Sequence, residues 1–247
     1  SFKMKRLYQK QWHGIPFSSF TEISSKKLAD SEFYDKYYRE FFKKYNDFNE
    51  IDQWWQDLKN HAANWLIKKF PEGSCVLSVG CGLGYIEQKI WKEQQNKIDL
   101  HVTDFASDSL RWIQNILPEE NIHIAMEEKN IPESKYDIIY FSGVDYALED
   151  NNMIELLNKY KNYLTEDGLL LLISFSFHDE DNSIKNLAKE FIKSILHSVG
   201  LYTKGQFWGW ERNQKDYFNL MYHSGFSSIH DGFIEPGHVY WIEGKHS

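Results

Sequence analysis

The sequence predicts an α/β fold, a mostly parallel sheet covered by helices on both faces and closed by an antiparallel pair. Three observations predict it. From Cys75 onward, short apolar runs at Cys75–Val79, Asp99–Thr103, Ile122–Ala125, Tyr136–Ser142 and Gly168–Ser174 alternate with helical segments. Such alternation requires parallel strands, because each crossover lays a helix over the sheet. The tail then offers two more strand-like runs, Gly225–Asp231 and His238–Glu243, folded back on each other at Glu235-Pro236-Gly237. Finally, 247 residues suit one core with a small appended layer. Five parallel strands and the closing pair make a seven-stranded sheet whose last strand is antiparallel.

The elements before the sheet are helical. Ile51, Trp54, Trp55, Leu58, Ala62, Trp65 and Leu66 recur at helical spacing, so Ile51–Phe70 reads as an amphipathic helix ended by Pro71-Glu72-Gly73. Upstream, Phe33-Tyr34, Tyr37-Tyr38 and Phe41-Phe42 place an aromatic stripe on a second helix, for core packing or for lining a substrate pocket. Residues 1–70 are thus expected to form an N-terminal helical cap on a domain spanning 71–247. After the fifth strand, two helical patterns, Ile184–Val199 and Asn213–Ser224, flank the Gly- and Trp-rich piece Gly200–Trp210, which predicts a lid inserted at about 179–212.

Composition narrows the function. Lys and Arg total 28 against 36 Asp and Glu, a net charge of −8 that repels polyanions, and no dense basic block offsets it, so no nucleic-acid partner is expected. No apolar run approaches the ~20 residues of a membrane helix. The start shows no secretory signal, and Cys75 and Cys81 lie in one strand and its following loop, where a disulfide serves no purpose; a reduced, cytoplasmic setting is expected. Nine Trp, 15 Tyr and 17 Phe exceed what a core of this size requires, so some are expected to line a pocket.

The informative motif is Gly80-Cys81-Gly82-Leu83-Gly84, which follows Val76–Val79 and opens a helix carrying Ile86 and Ile90. Glycines here let a ligand approach main-chain N–H groups at a helix N-terminus. A dinucleotide fingerprint, G-x-G-x-x-G, needs its third glycine where Tyr85 stands, which disfavours a nicotinamide-dependent dehydrogenase. The spacing found, G-x-G-x-G, resembles that of the class I S-adenosylmethionine-dependent methyltransferases, small-molecule type, over about Pro71 to Lys245.

That resemblance implies a Rossmann-like sheet, S-adenosylmethionine as cofactor, and Gly80, Cys81, Gly82 and Gly84 as contacts to its methionyl part. One residue departs from the family: Ser78 stands where an Asp or Glu is usual. Asp104, after the second strand, is placed to accept from both ribose hydroxyls, with Phe105 packing on the adenine. The stretch Met126–Pro132, leading to Tyr136-Asp137, puts Glu127 and Glu128 at the family's adenine contacts. Ser142 and Gly143, ending the fourth strand, occupy its cofactor-adjacent backbone positions.

Methyl transfer from a sulfonium is an in-line displacement, and an alcohol or ammonium acceptor must also lose a proton. Asp145 and His178, just past strands four and five, are the candidate bases. Tyr146, Trp210, Arg212 and the N-terminal Trp12 and His13 are candidate substrate contacts. Arg212 is expected either to clamp a carboxylate or phosphate or to pair with Glu211 or Asp216. The expected activity is methyl transfer to an oxygen or nitrogen of a small metabolite, acidic or sugar-like, by a monomer or homodimer that needs no metal. A non-catalytic domain of the same fold is the alternative, sustained by Ser78. The Asn/Asp-Pro-Pro-Tyr/Phe signature for amino groups on bases is absent after strand four.

Overall fold

Alternating apolar residues on short strands give the sheet two buried faces. The computed structural model describes residues 4–124, 135–179, 192, 195, 196 and 204–246. Its central strands are β4 (Cys75–Val79), β5 (Asp99–Asp104), β6 (Ile122–Ile124), β7 (Tyr136–Ser142) and β8 (Leu164–Ser174), all parallel, followed by β10 (Ser227–Ile234) and β11 (Val239–Lys245). The spatial order is β10-β11-β8-β7-β4-β5-β6, and β11 runs antiparallel to both of its neighbours. The predicted architecture is therefore the one observed. Several boundaries moved: β8 begins at Leu164, β10 runs from Ser227 to Ile234, β11 from Val239 to Lys245, and Asp104 is itself the last residue of β5.

Period-two burial sorts the side chains. Leu77, Val79, Ile139, Phe141, Leu170 and Leu172 pack under α4 (Asp150–Lys161) and α5 (Gln214–His223). Val76, Leu100, Val102, Ile138, Tyr140 and Leu171 face α2 (Gln53–Lys69) and α3 (Tyr85–Gln94). Each fully buried side chain of this size contributes roughly 1.5–3 kcal/mol of transfer free energy. Strand order reverses at β4, which pairs with β5 on one side and β7 on the other, so a crevice opens at the carboxyl ends of these strands.

A third layer covers that crevice. The aromatic helix is α1 (Ser31–Lys44), capped by Asp30, whose carboxylate accepts from the Phe33 N–H at 3.0 Å. Phe33, Tyr37, Tyr38 and Phe41 are buried on it, packed with Phe17, Trp55, Tyr85 and Trp208. The N-terminal segment holds strands as well as helices: β1 (Lys5–Gln9), β2 (Gln11–Trp12) and β3 (Ile15–Pro16). β1 pairs antiparallel with β9 (Gln206–Glu211), so the end of the segment expected to form an inserted lid contains a strand. The periodicity of Gly200–Trp210 conceals this, because β9 has its partner some two hundred residues upstream, at Lys5–Gln9. The helix expected at Ile184–Val199 lies outside the described residues apart from Ile192, Ile195 and Leu196, which are helical.

Candidate active site

The glycine turn begins the site. Gly80 and Gly82 have φ of +73° and +58°, in the left-handed region that side chains disfavour. A Cβ at Gly80 would stand 2.3 Å from Val144 Cγ2, so the chain must be bare there for the turn to pack against the end of β7. A Cβ at Gly82 would meet nothing nearer than the Tyr38 hydroxyl at 3.7 Å, because Gly82 faces a cavity. That cavity has a volume of about 590 Å³, within the range of sites that enclose small ligands.

Asp104 locks the turn. Its Oδ2 accepts from the Gly82 N–H at 2.7 Å and its Oδ1 from the Ala106 N–H at 2.8 Å. Burial pushes this carboxyl up, and the backbone N–H groups of Ala106, Gly82 and Phe105 and the Ser109 hydroxyl oppose that. Asp104 remains on the cavity wall. Phe105 is 53% exposed beside it, a large ring on the cavity rim. At the end of β7, the Ser142 hydroxyl is buried without a hydrogen-bond partner, and Gly143 donates its N–H to the Ile173 carbonyl at 2.9 Å. Cys81, Ser142 and Gly143 all line the cavity; Gly84, with φ of +81°, caps α3 behind it.

The floor carries two opposite charges that sequence reasoning missed. Glu87, on the first turn of α3, accepts from the Ser78 hydroxyl at 2.7 Å and the Tyr140 hydroxyl at 2.9 Å. Lys59 reaches in from α2, its ammonium 3.5 Å from the centre of the Phe175 ring. Burial pushes Lys59 down to about 8, and Glu87 and Asp145 pull the other way. Burial pushes Glu87 up. The signal for both was present in the sequence: each interrupts the apolar face of an amphipathic helix, next to Leu58 and Ile86.

The opposite wall is aromatic. Trp12, Tyr34, Tyr38, Tyr146 and Trp208 line it. Tyr146 stacks on Trp208 at 5.9 Å with 12° between the planes, and its hydroxyl lies 3.1 Å from that of Tyr34. Desolvation pushes Tyr146 up to about 12, and Tyr34 and Tyr38 well above the ordinary phenol range. All three stay protonated near neutral pH. The aromatic stripe of α1 thus serves both ends foreseen for it, Tyr37 and Phe41 in the core and Tyr34 and Tyr38 on the cavity.

Several expected contacts lie elsewhere. Asp145 is 2% exposed and off the cavity wall; its Oδ2 accepts from the Ser174 hydroxyl at 2.9 Å and from the Tyr217 hydroxyl, which draws it into the sheet. His178 lies beyond the wall, with its Nδ1 3.4 Å from Glu211. Neither side chain lines the cavity. Arg212 has no exposed surface: its Nε pairs with Asp150 at 3.0 Å, while its terminal nitrogens donate to the carbonyls of Asp145 and Leu148. It is a buried fastener rather than a substrate clamp, and its partner is Asp150, not Glu211 or Asp216. Trp210 is buried against Phe207, leaving the wall position to Trp208. His13 sits among Trp12, Phe41, Tyr45 and Trp55, away from the cavity. Glu127 and Glu128 fall outside the described residues.

Comparison with known proteins decides the family. Residues 44–222 match the family model described as AdoMet dependent proline di-methyltransferase. The chain belongs to this S-adenosylmethionine-dependent methyltransferase family. Its cofactor is accordingly S-adenosylmethionine. Solved methyltransferases share the fold. The S-adenosylmethionine-dependent methyltransferase SibL superposes with a TM-score of 0.59 at 16% identity, covering 93% of this chain and 64% of its own. Human N-acetylserotonin methyltransferase, solved with SAM, gives 0.56 at 16% identity over 88% of this chain and 57% of its own. A SAM dependent methyltransferase from Aquifex aeolicus gives 0.52 at 15% identity, covering 77% of this chain and 92% of its own. The chain spans less than two thirds of the length of the first two.

Proposed function

We propose that this methyltransferase moves a methyl group to an oxygen or nitrogen of a small metabolite, with an amine nitrogen the acceptor that the cavity suits best. The reading of the cofactor end rests on three features of one wall. Gly82 leaves a cradle that a side chain would fill, Ser142 turns an unpartnered hydroxyl into buried space, and Phe105 holds an uncovered ring beside Asp104. In this reading the Asp104 carboxylate uses its remaining lone pairs for the ribose hydroxyls, and Phe105 covers the adenine. When bound, the cofactor supplies an electrophilic methyl group on its sulfonium. The aromatic wall, some of whose rings are held by stacking, orients the acceptor and excludes water.

The observation that carries the nitrogen reading is the state of the wall's carboxylates. Among the described residues, the carboxylates that line the cavity are Asp30, bound to the Phe33 N–H at the cap of α1, and Asp104 and Glu87, which lie at the glycine turn, the cofactor's end in this reading. The Lys27 ammonium beside Asp30 also holds its carboxyl below the usual range. With the tyrosines protonated, an alcohol finds no carboxylate here free to take its proton, whereas a neutral amine attacks first and loses a proton to water afterwards. In this reading the paired Tyr34 and Tyr146 hydroxyls accept an N–H while the lone pair faces the methyl group. Methyl transfer to proline, whose nucleophile is its ring nitrogen, is the reaction in the family description. An acidic or sugar-like acceptor loses its main support, because Arg212 is spent on the protein.

The test is transfer of labelled methyl from S-adenosylmethionine to a panel of small primary and secondary amines, phenols, carboxylates and peptides with an N-terminal proline. Label is expected in small amines, with a rate that rises with pH as the amine loses its proton. Label in phenols or carboxylates alone would overturn the nitrogen assignment, and label only in peptides would overturn the small acceptor.

A further inference from the structure

We infer that Lys59 and Glu87 form a charge pair that reads the zwitterionic amino-acid end of the cofactor, Lys59 taking the carboxylate and Glu87 the ammonium. The inference rests on the glycine turn being the cofactor site. It concerns how this chain manages without the acid that position 78 would otherwise supply.

Ser78 is the starting point. A serine there leaves the floor of the turn without a carboxylate, yet the structure brings one in from the next helix. Glu87 lies on α3, buried, and receives the Ser78 hydroxyl at 2.7 Å and the Tyr140 hydroxyl at 2.9 Å. Both donors reach the same oxygen, Oε1, which fixes the carboxylate at the cavity floor, where Glu87 is part of the lining. The serine therefore makes room for the glutamate and orients it. Burial pushes this carboxylate towards its neutral form, the two hydroxyls and the nearby Lys59 oppose that, and a cation entering the cavity would favour the charged form further.

Lys59 supplies the opposite charge. Its ammonium lies 3.5 Å from the Phe175 ring centre and 5.6 Å from that of Trp55, and a Cβ on Gly143 would stand 3.8 Å from it. Gly143 and the glycine turn flank the same part of the cavity. Among the described residues no carboxylate approaches Lys59 within ion-pair distance, and burial pushes its ammonium down to about 8. A cation held over aromatic rings beside backbone glycines suits a carboxylate that enters with its own ammonium aimed at Glu87. No ion pair joins Lys59 and Glu87, although each feels the other's charge, which leaves both for a ligand carrying both signs on one carbon.

The test compares three ligands by calorimetry: S-adenosylhomocysteine, its decarboxylated analogue, and 5′-methylthioadenosine, which lacks the amino-acid end. For the wild-type chain the first should bind far more tightly than the third. Lys59→Met should lower the preference for S-adenosylhomocysteine over the decarboxylated analogue by about 10- to 100-fold, the effect of losing a charge-assisted contact. Glu87→Gln, which keeps an acceptor for Ser78 and Tyr140, should lower the preference for the decarboxylated analogue over methylthioadenosine by a similar factor. Methylthioadenosine affinity should stay within about threefold in both variants. Ratios unchanged in Lys59→Met and Glu87→Gln would overturn the pairing, as would equal losses for all three ligands. If the wild-type chain binds none of them, the cofactor site itself is misplaced, an outcome distinct from unchanged ratios. Should Glu87→Gln fail to fold, the Lys59→Met ratio decides.

Discussion

His13 is a base buried where its charged form has nowhere to go. Both ring nitrogens are buried without a partner, the ring lies among four aromatic side chains, and burial pushes its pKa down to about 4. The sign follows directly. The unfolded chain takes up the proton near the ordinary value of about 6.5 while the folded chain does not, so the stability due to neutral His13 is complete above that pH. It is lost as the pH falls from about 6.5 towards 4. His123, also pushed down to about 4, contributes in the same window, which makes a difference measurement necessary. Thermal midpoints followed by tryptophan fluorescence should fall less steeply between pH 6.5 and 4 in His13→Phe than in the wild type. Parallel slopes would show that His13 does not carry this acid sensitivity.

Among the elements, the junction of β9, α4 and the turn at Asp145–Ala147 is held by a single side chain. Arg212 leaves the end of β9, pairs with Asp150 at the start of α4, and donates to the carbonyls of Asp145 and Leu148. Replacing it by methionine keeps much of the volume but takes the donor from the Asp145 and Leu148 carbonyls, while the half-exposed Asp150 carboxylate turns to water. Arg212→Met should cost about 1–3 kcal/mol, the range for leaving buried acceptors without their donor. A urea melt checks this, with S-adenosylhomocysteine affinity of the folded protein changed by less than about threefold. A specific loss of ligand affinity at undiminished stability would return Arg212 to the substrate site. The same geometry explains why Arg212 reads ambiguously in sequence: an arginine beside two tryptophans looks the same whether its fork meets a substrate or three protein oxygens.

For the whole molecule, the sheet and the glycine turn were legible because local patterns specify them. Short, near-continuous apolar runs fix β4, β5 and β7, and the spacing of Gly80, Gly82 and Gly84 fixes the bend. What escaped depends on contacts remote in sequence. The pairing of Lys5–Gln9 with Gln206–Glu211 leaves no local trace, so β9 reads as a lid. Asp145 follows strand four in the expected place, but Ser174 and Tyr217 draw its carboxylate away from the cavity. Lys59 and Glu87 are ordinary charged residues of amphipathic helices until packing of α2 and α3 turns them inward. The central claim is the placement of the cofactor against the glycine turn, and a crystal structure of the chain with S-adenosylhomocysteine measures it most directly. The account predicts both ribose hydroxyls within hydrogen-bond distance of Asp104, the adenine against Phe105 and the amino-acid end between Gly82 and Gly143. Ligand density elsewhere, with the Asp104 carboxylate touching only the N–H groups of Gly82 and Ala106, would contradict it.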